Sequence, residues 1–325
     1  MNRNADPEIS VIIITPDRYE TIRRTIFHLR RQVYRESLEV IIVAPALNEL
    51  KINTQELEGF WGFRLVEVGD MRSTAQARSA GIRQSKARVV AFLEDHSCPG
   101  TDWAEALIKA HKGEWAAVGP AMVNANPDSA LSWANLLIEY GQWLDPVQAG
   151  SINHIPGHNG SYKRSILLEY GRDLDAMLEA ETVLHWDMLS KGHKVCMEPR
   201  AKVSHWNFSL LSSTFSLRFY SGRLFAASRS LHWGRFKRLF YTCASPLIPI
   251  VRMARIIKEL CKTGRPHYLL PRIFFLLMAG LALEALGEMC GYASGFGNAK
   301  QQLKELEFHR IRHLNKKDRQ LYESF

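Results

Sequence analysis

A chain of 325 residues, 46% hydrophobic and 23% charged, has a globular composition and room for one large domain plus an appendage, which excludes disorder as its default state. Its five cysteines, Cys98, Cys196, Cys243, Cys261 and Cys290, are scattered, odd in number and without a C-x-x-C pair, which argues against a disulfide framework and against a thiolate zinc site. The net charge of +9 is uneven: residues 1–217 carry 23 Lys+Arg against 26 Asp+Glu and residues 218–325 carry 19 against 7, so the basic character belongs to the C-terminal third.

The polar start Met1-Asn2-Arg3-Asn4-Ala5-Asp6-Pro7-Glu8 lacks the apolar core of a signal peptide, and the apolar run at residues 9–14 is too short to span a bilayer. The N-terminal part is expected in the cytosol, a reducing compartment. Residues 9–15 (Ile-Ser-Val-Ile-Ile-Ile-Thr) read as a buried β-branched strand. Ile22, Ile26 and Leu29 then repeat at helical spacing between Arg23, Arg24, Arg30 and Arg31, which predicts an amphipathic helix. Residues 38–43 and 63–68 make the second and third strands, and the Ala-rich stretch 73–85 a helix. A fourth strand, 88–93, runs straight into Glu94-Asp95-His96.

This alternation predicts an α/β domain with a mostly parallel, Rossmann-like sheet flanked by helices. In such sheets ligands gather outside the carboxyl ends of the strands, where the Glu-Asp-His cluster lies. Neither G-x-G-x-x-G nor a P-loop is present. A diphosphate held here would need a metal, bound by oxygen or imidazole ligands.

From residue 215 to 241 aromatic and basic residues interleave, as in helices that lie at a membrane surface. Two apolar stretches follow, 239–251 with Pro246 and Pro249, and 273–283 before Glu284; each is shorter than the ~18–20 residues of a plain span. Re-entrant or in-plane helices are expected over a full span, with a soluble helical subdomain as the other reading. The charged ending, 300–325, reads as a peripheral helix. The basic tail favours an anionic membrane surface over nucleic acid as its partner.

Four patches in order carry a family resemblance: residues 11–18 with Thr15 and Asp17-Arg18; Ala77-Arg78-Ser79-Ala80-Gly81; Phe92-Leu93-Glu94-Asp95-His96 followed by Trp103; and residues 157–205. They resemble the family-2 inverting glycosyltransferases of the A-type nucleotide-diphospho-sugar transferase fold. The resemblance implies a catalytic domain over residues 1–212, and the patterning above a basic, helical membrane-associating region over 213–325. It implies that Thr15, Asp17, Arg78, Glu94 and Asp95 bind the donor sugar nucleotide. Asp95, His96 and His205 would hold a divalent metal, Mn2+ in preference to Mg2+ because imidazole suits manganese. His205 follows Pro199 and Ala201 at the family's spacing. Glu181, with Leu184 and Gly192 at the expected offsets, would be the catalytic base, and Asn159 and Trp206 would face the acceptor.

The implied activity is metal-dependent inverting transfer to an acceptor hydroxyl at the cytoplasmic face of a membrane, with a lipid-linked or saccharide acceptor in cell-envelope polysaccharide or glycolipid assembly. One departure stands out: Ala44-Pro45-Ala46-Leu47 occupies the place of the family's acidic Asp-Asp-Gly-Ser segment. It leaves open a second reading, a non-catalytic membrane-bound scaffold or sugar-binding protein on a degenerate transferase fold. A nucleotidyltransferase fits poorly, since Thr15-Pro16-Asp17-Arg18 is not the Gly-rich basic loop it would need after the first strand.

Overall fold

The computed structural model describes residues 6–324, with residues 266 and 267 described by backbone only; the polar Met1–Ala5 segment and Phe325 lie outside the described residues. Two compact units are present, Met1–Val123 with Asp145–His205, and Asn124–Leu144 with Trp206–Phe325.

The first unit is built on β1 (Ile9–Ile14), α1 (Tyr19–Arg30), β2 (Leu38–Ala44), β3 (Gly62–Glu67), α2 (Thr74–Gln84), β4 (Val89–Leu93), β5 (Ser97–Pro99), α3 (Trp103–His111) and β6 (Trp115–Asn124). After α4 (Ala130–Tyr140), which belongs to the second unit, it resumes with β7 (Gly150–Ser151), β8 (Ser161–Lys163), α5 (Arg164–Leu168), α6 (Leu174–Leu178), α7 (Glu181–Ser190) and β9 (Lys194–His205). The sheet order is β3-β2-β1-β4-β8-β6-β9-β5, with β7 beside β9. Strands β3, β2, β1 and β4 are parallel, as the alternating pattern predicts. Strand β8 runs antiparallel to β4 and β6, and β5 and β7 run antiparallel to β9.

Strand β2 is buried along its whole length and β1 along all but its last residue, because a parallel sheet is covered on both faces and its strands read as unbroken apolar runs. The two polar exceptions answer each other: Ser10 sits opposite Glu39 in register, its Oγ donates to Glu39 Oε2 at 2.5 Å, and the Lys86 amide donates to the same oxygen at 2.8 Å. Both are thus satisfied without water. Helix α1 turns Tyr19, Ile22, Ile26 and Leu29 inward as its periodicity requires. Helix α2 begins at Ser73, whose side chain accepts from Gln76 N–H, and lies so close to β1 that a Cβ on Gly81 would come within 2.7 Å of Ile12 Cγ2.

The second unit is helical: α4, then α8 (Leu211–Arg229), α9 (Arg235–Ala244), α10 (Ile248–Lys262), α11 (Pro266–Ser294), α12 (Ala299–Glu307) and α13 (Lys316–Glu323). The interleaved aromatic and basic run at 215–241 is two elements of different character. Helix α8 buries Thr214, Leu217, Arg218, Gly222 and Ala226, and Arg218 pairs with Glu139 of α4 at 3.0 Å. Helix α9 buries nothing. Phe208, Leu217, Leu303 and Leu306 form a core cluster between α8 and α12.

The apolar stretches extend further than their uncharged cores suggest. Helical segments Arg235–Lys262 and Tyr268–Ser294, 28 and 27 residues, are long and apolar enough to cross a membrane by length and composition. Glu284, which interrupts the second, is paired with Arg252 at 2.5 Å.

Backbone meets backbone where α8 crosses α11. A Cβ on Gly222 would fall 2.1 Å from the Glu284 carbonyl, one on Gly287 2.0 Å from the Phe219 carbonyl, and one on Gly291 2.5 Å from the Arg223 carbonyl. The glycines are what let two helices touch along their main chains. Gly287→Ala is therefore expected to destabilise the protein by at least ~1–3 kcal/mol, as overpacking does when no side chain can yield. Gly234→Ala, at a position with nothing within 4 Å and an ordinary φ of −66, is expected to leave the unfolding midpoint unchanged; the two midpoints measured side by side check this.

Candidate active site

The turn from β4 into β5 closes through Ser97 N–H, which donates to the Glu94 carbonyl at 3.0 Å. Thr25, buried on α1, donates its hydroxyl toward the Asp95 and Ser97 carbonyls, both at 3.0 Å. Glu94-Asp95-His96 is thus pinned by its backbone, leaving its side chains to do chemistry. The register of β5 on β9 sets Ser97 opposite His205, which brings a histidine 109 residues away in sequence beside His96.

The Nε2 atoms of His96 and His205 stand 2.9 Å apart, with the rings edge-on. Glu94 Oε2 is 3.2 Å from His205 Nε2, and Glu94 Oε1 is 3.7 Å from His96 Nε2. All three residues are buried. Asp95 Oδ1 accepts from His96 Nδ1 at 2.5 Å. A carboxylate only accepts, so the Nδ1 proton points at Asp95 and Nε2 is the nitrogen turned to the cluster, the arrangement that orients metal-ligating imidazoles.

The residues fit a divalent metal. Ligand atoms 2.9 Å apart match the spacing of about 3 Å between neighbours held at ~2.1 Å around an octahedral ion. Glu94, His96 and His205 form the candidate donor set. Asp95, expected as a ligand and donor contact, stands instead behind His96, and Glu94 takes the third position in the group.

A second group adjoins it. Arg78 from α2 reaches the first residue of α7, with Nη1 donating to Glu181 Oε1 at 2.7 Å. His158, from the loop before β8, lies 3.0 Å from Glu181 Oε1 through Nε2 and 3.2 Å from Glu94 Oε1 through Nδ1. It bridges the two carboxylates. Asn159 Nδ2 donates to Glu94 Oε2 at 2.7 Å. Gly157 makes the approach possible, since a Cβ there would sit 2.4 Å from Glu181 Cβ.

Burial alone would push the Glu181 carboxyl up, but His158 and Arg78 outweigh it and hold it at about 2. Burial works against the His158 imidazolium, yet Glu181 and Glu94 raise it well above its ordinary value despite Arg78. At rest the pair is ionised. His158 escaped the sequence reading as a site residue; its only signal was a polar pair, His158-Asn159, set between Gly157 and Gly160.

Thr15 and Asp17 have local roles at the carboxyl end of β1. Thr15 Oγ1 donates to the Arg18 carbonyl at 2.8 Å, and Asp17 Oδ1 accepts from Arg18 N–H at 2.6 Å and from Thr21 Oγ1 at 2.8 Å, shaping the entry to α1. Trp206 belongs to the second unit, where its ring packs edge-on against Tyr322.

A parallel α/β sheet of this order, with an acidic and imidazole cluster at the carboxyl end of β4, is the architecture of the A-type glycosyltransferases. The chain belongs to glycosyltransferase family 2: residues 10–171 match the family described as Glycosyl transferase family 2. It resembles the glucosyl-dolichyl phosphate glucuronosyltransferase of Haloferax volcanii, at 27% identity over 176 residues, which is 50% of this chain and 55% of that protein. The chain thus matches about half the length of that relative. Among solved structures, the mannosyltransferase PcManGT of Pyrobaculum calidifontis in complex with GDP-Man and Mn2+ superimposes with a TM-score of 0.54 at 16% identity, over 88% of each chain. GalNAc-T7 with UDP, GalNAc and Mn2+ gives 0.50 at 13% identity, over 86% of this chain and 59% of that one. At these identities the two structures speak for the fold.

The geometry separates ligand from support. Asp95→Asn is expected to weaken Mn2+ binding ~10–100-fold, the usual effect of losing the carboxylate behind a ligating imidazole. His205→Ala should weaken it further. Titration calorimetry of the purified variants with Mn2+ reads both, and equal affinity of Asp95→Asn and the parent would remove Asp95 from the site.

Proposed function

We propose that the chain is a metal-dependent inverting glycosyltransferase that moves a sugar from a nucleotide-diphospho-sugar to an acceptor hydroxyl. The observation that carries the proposal is the bridge: one histidine, His158, joins the donor set Glu94, His96 and His205 to the carboxylate Glu181, so a leaving-group site and a base lie side by side. A divalent ion held by the first group would neutralise charge on the leaving diphosphate as a Lewis acid. Two imidazoles in the set favour Mn2+ over Mg2+.

Glu181 takes the acceptor's proton as its oxygen attacks the anomeric carbon from the face opposite the diphosphate. At about 2 its carboxylate is too weak a base for that step, and Arg78 supplies the remedy. A guanidinium pairs well with phosphate oxygens. When Arg78 turns to the donor diphosphate, Glu181 loses one of its two cations and its basicity rises, so the base is stronger with the donor in place. Asn159 holds Glu94 in orientation, and Thr15 and Asp17 shape the donor loop after β1.

The catalytic domain is assigned to residues 1–212 at the cytoplasmic face of a membrane, with residues 213–325 as the membrane-associating region. Two long apolar helices and the dolichyl phosphate in the name of the Haloferax relative support a lipid-linked acceptor in cell-envelope glycan or glycolipid assembly.

In a Mn2+-supplemented assay against uridine, guanosine and thymidine diphospho-sugars, Glu181→Gln is expected to lower kcat by ~10²–10⁴ while nucleotide affinity by calorimetry stays within a factor of a few. Full turnover in that variant would sink the base assignment. A protein that binds no nucleotide in the presence of metal would instead be the degenerate, non-catalytic scaffold that Ala44-Pro45-Ala46-Leu47 leaves open.

A further inference from the structure

Helices α9 and α10, joined by a short turn at Ser245–Leu247, make a continuous 28-residue helical segment with two unlike faces. Pro249, Met253, Ile256 and Leu260 point inward and are buried. Phe236, Leu239, Phe240, Leu247, Ile250 and Val251 point outward, with Phe236 91%, Phe240 68% and Ile250 66% exposed. Single exposed apolar residues are ordinary; a row of six along one helical face marks a surface that something apolar covers.

The surroundings identify the cover. From Arg235 to Lys258 the chain has six basic residues and no acid. At the start of the segment the half-buried rings of Trp233 and Tyr241 pack on the buried Tyr292, with Arg229 4.9–5.0 Å from the two half-buried rings and Lys237 4.2 Å from Trp233. Amphipathic rings interleaved with cations are what sits at the level of phospholipid headgroups. An apolar stripe with a basic rim matches an anionic bilayer better than a protein partner, which would have to bring acids for every cation.

The packing of α11 decides how the stripe meets the bilayer. Its Gly280 faces Ile138 of α4, its Gly287 and Gly291 press on the main chain of α8, and Arg272 donates to the Asp128 carbonyl ahead of α4. Helix α11 therefore cannot leave for the hydrocarbon without taking α4 and α8, with Glu139 and Arg218, along with it. Arg252, on α10, is likewise satisfied inward, by the Ile138 carbonyl at 3.0 Å and Glu284 at 2.5 Å. Unpaired polar groups are not carried into hydrocarbon.

We propose that α9–α10 is an in-plane membrane anchor: it lies along the surface of an anionic bilayer with Phe236, Leu239, Phe240, Leu247, Ile250 and Val251 sunk to the headgroup–acyl boundary, and α11 behind it as protein core. The inference rests on the membrane association proposed above and names its surface and mode. Two native cysteines report on it, since Cys243 lies on the stripe and Cys261 at its basic end, both exposed.

The test uses the full chain with preformed sealed liposomes, either phosphatidylcholine alone or with a third of phosphatidylglycerol. Expected are flotation with the anionic vesicles, at least ten-fold weaker binding of Phe240→Asp and of Ile250→Asp with unchanged unfolding midpoints, loss of Cys243 labelling on binding, and continued labelling of Cys261 by an impermeant maleimide added outside. Flotation that neither variant weakens would overturn the surface and leave membrane association standing. Protection of Cys261 would overturn the in-plane mode in favour of a span. No flotation with either liposome would overturn the inference together with the membrane association beneath it, while leaving the transferase assignment to its own assay.

Discussion

Three residue pairs between β5 and β9 govern the chemistry of the first unit. Because Ser97 faces His205, Cys98 faces Ser204 and Pro99 faces Val203, the end of a late strand delivers its histidine to a turn formed more than a hundred residues earlier. A slip of one residue would throw His205 to the other face of the sheet and dissolve the donor set. So short a pairing needs help, and α1 provides it. Thr25 holds the start of β5 through the Asp95 and Ser97 carbonyls. Gln32, seven residues further on, donates to the Gly100 carbonyl at 2.7 Å and accepts from Ala104 N–H at 3.0 Å. One of these polar side chains lies within α1 and the other just past its C-terminal end, and between them they grip both ends of the strand.

The same region concentrates charge where water is scarce. Glu94, Glu181 and Arg78 are buried, and His158 is half-buried between them. Isolated, each would be expensive; removing one partner from such a pair typically costs ~3–5 kcal/mol because the other is left uncompensated. The network tolerates its own burial by giving each group a partner of opposite sign. Arg78 also lies 5.4 Å from the Phe92 ring, a contact that does not depend on Glu181. A guanidinium held on two sides can exchange one anionic partner for another without being released to solvent. Under the proposed mechanism that makes Arg78 better suited than His158 to couple donor binding to Glu181, since His158 is tied to a carboxylate at each end.

How far the sequence could be read follows from which physical signals are local. The parallel strands were legible because burial on both faces forces unbroken apolar runs such as Ile9–Ile14 and Leu38–Ala44, and α1 because its inward face repeats at helical spacing. The presence of an acid and imidazole cluster after β4 was legible too, and the distant Glu181 and His205 that the sequence singles out are brought beside it by the fold. Which of two adjacent carboxylates joins the histidines was not. Glu94 and Asp95 differ only in the direction the turn gives them, and that turn is set by Thr25, 69 and 70 residues away. His158 was lost for a similar reason: its meaning comes from the two carboxylates it joins, neither of them near it in the chain. Nor does any local pattern mark Asn124–Leu144 as part of the second unit, because an insertion between strand ends looks like one more crossover.

The uneven charge of the sequence acquires a structural account in the second unit. Several of its cations are spent inside: Arg218 on Glu139, Arg252 on Glu284, and Arg310 on Glu307. Those residues neutralise the polar faces of helices that pack by backbone contact, so they contribute to the count of charges without contributing to a basic surface. What remains is exposed on α9 and α10, where Arg235, Lys237, Arg255 and Lys258 stand beside apolar side chains, and on the later segments that carry Arg272, Lys300, Arg312, Lys316, Lys317 and Arg319. A purely electrostatic surface for nucleic acid would spread its cations along a polar face and keep large apolar groups out of it. Here large apolar groups share the exposed face with the cations, the combination that an interfacial helix presents to acyl chain and headgroup.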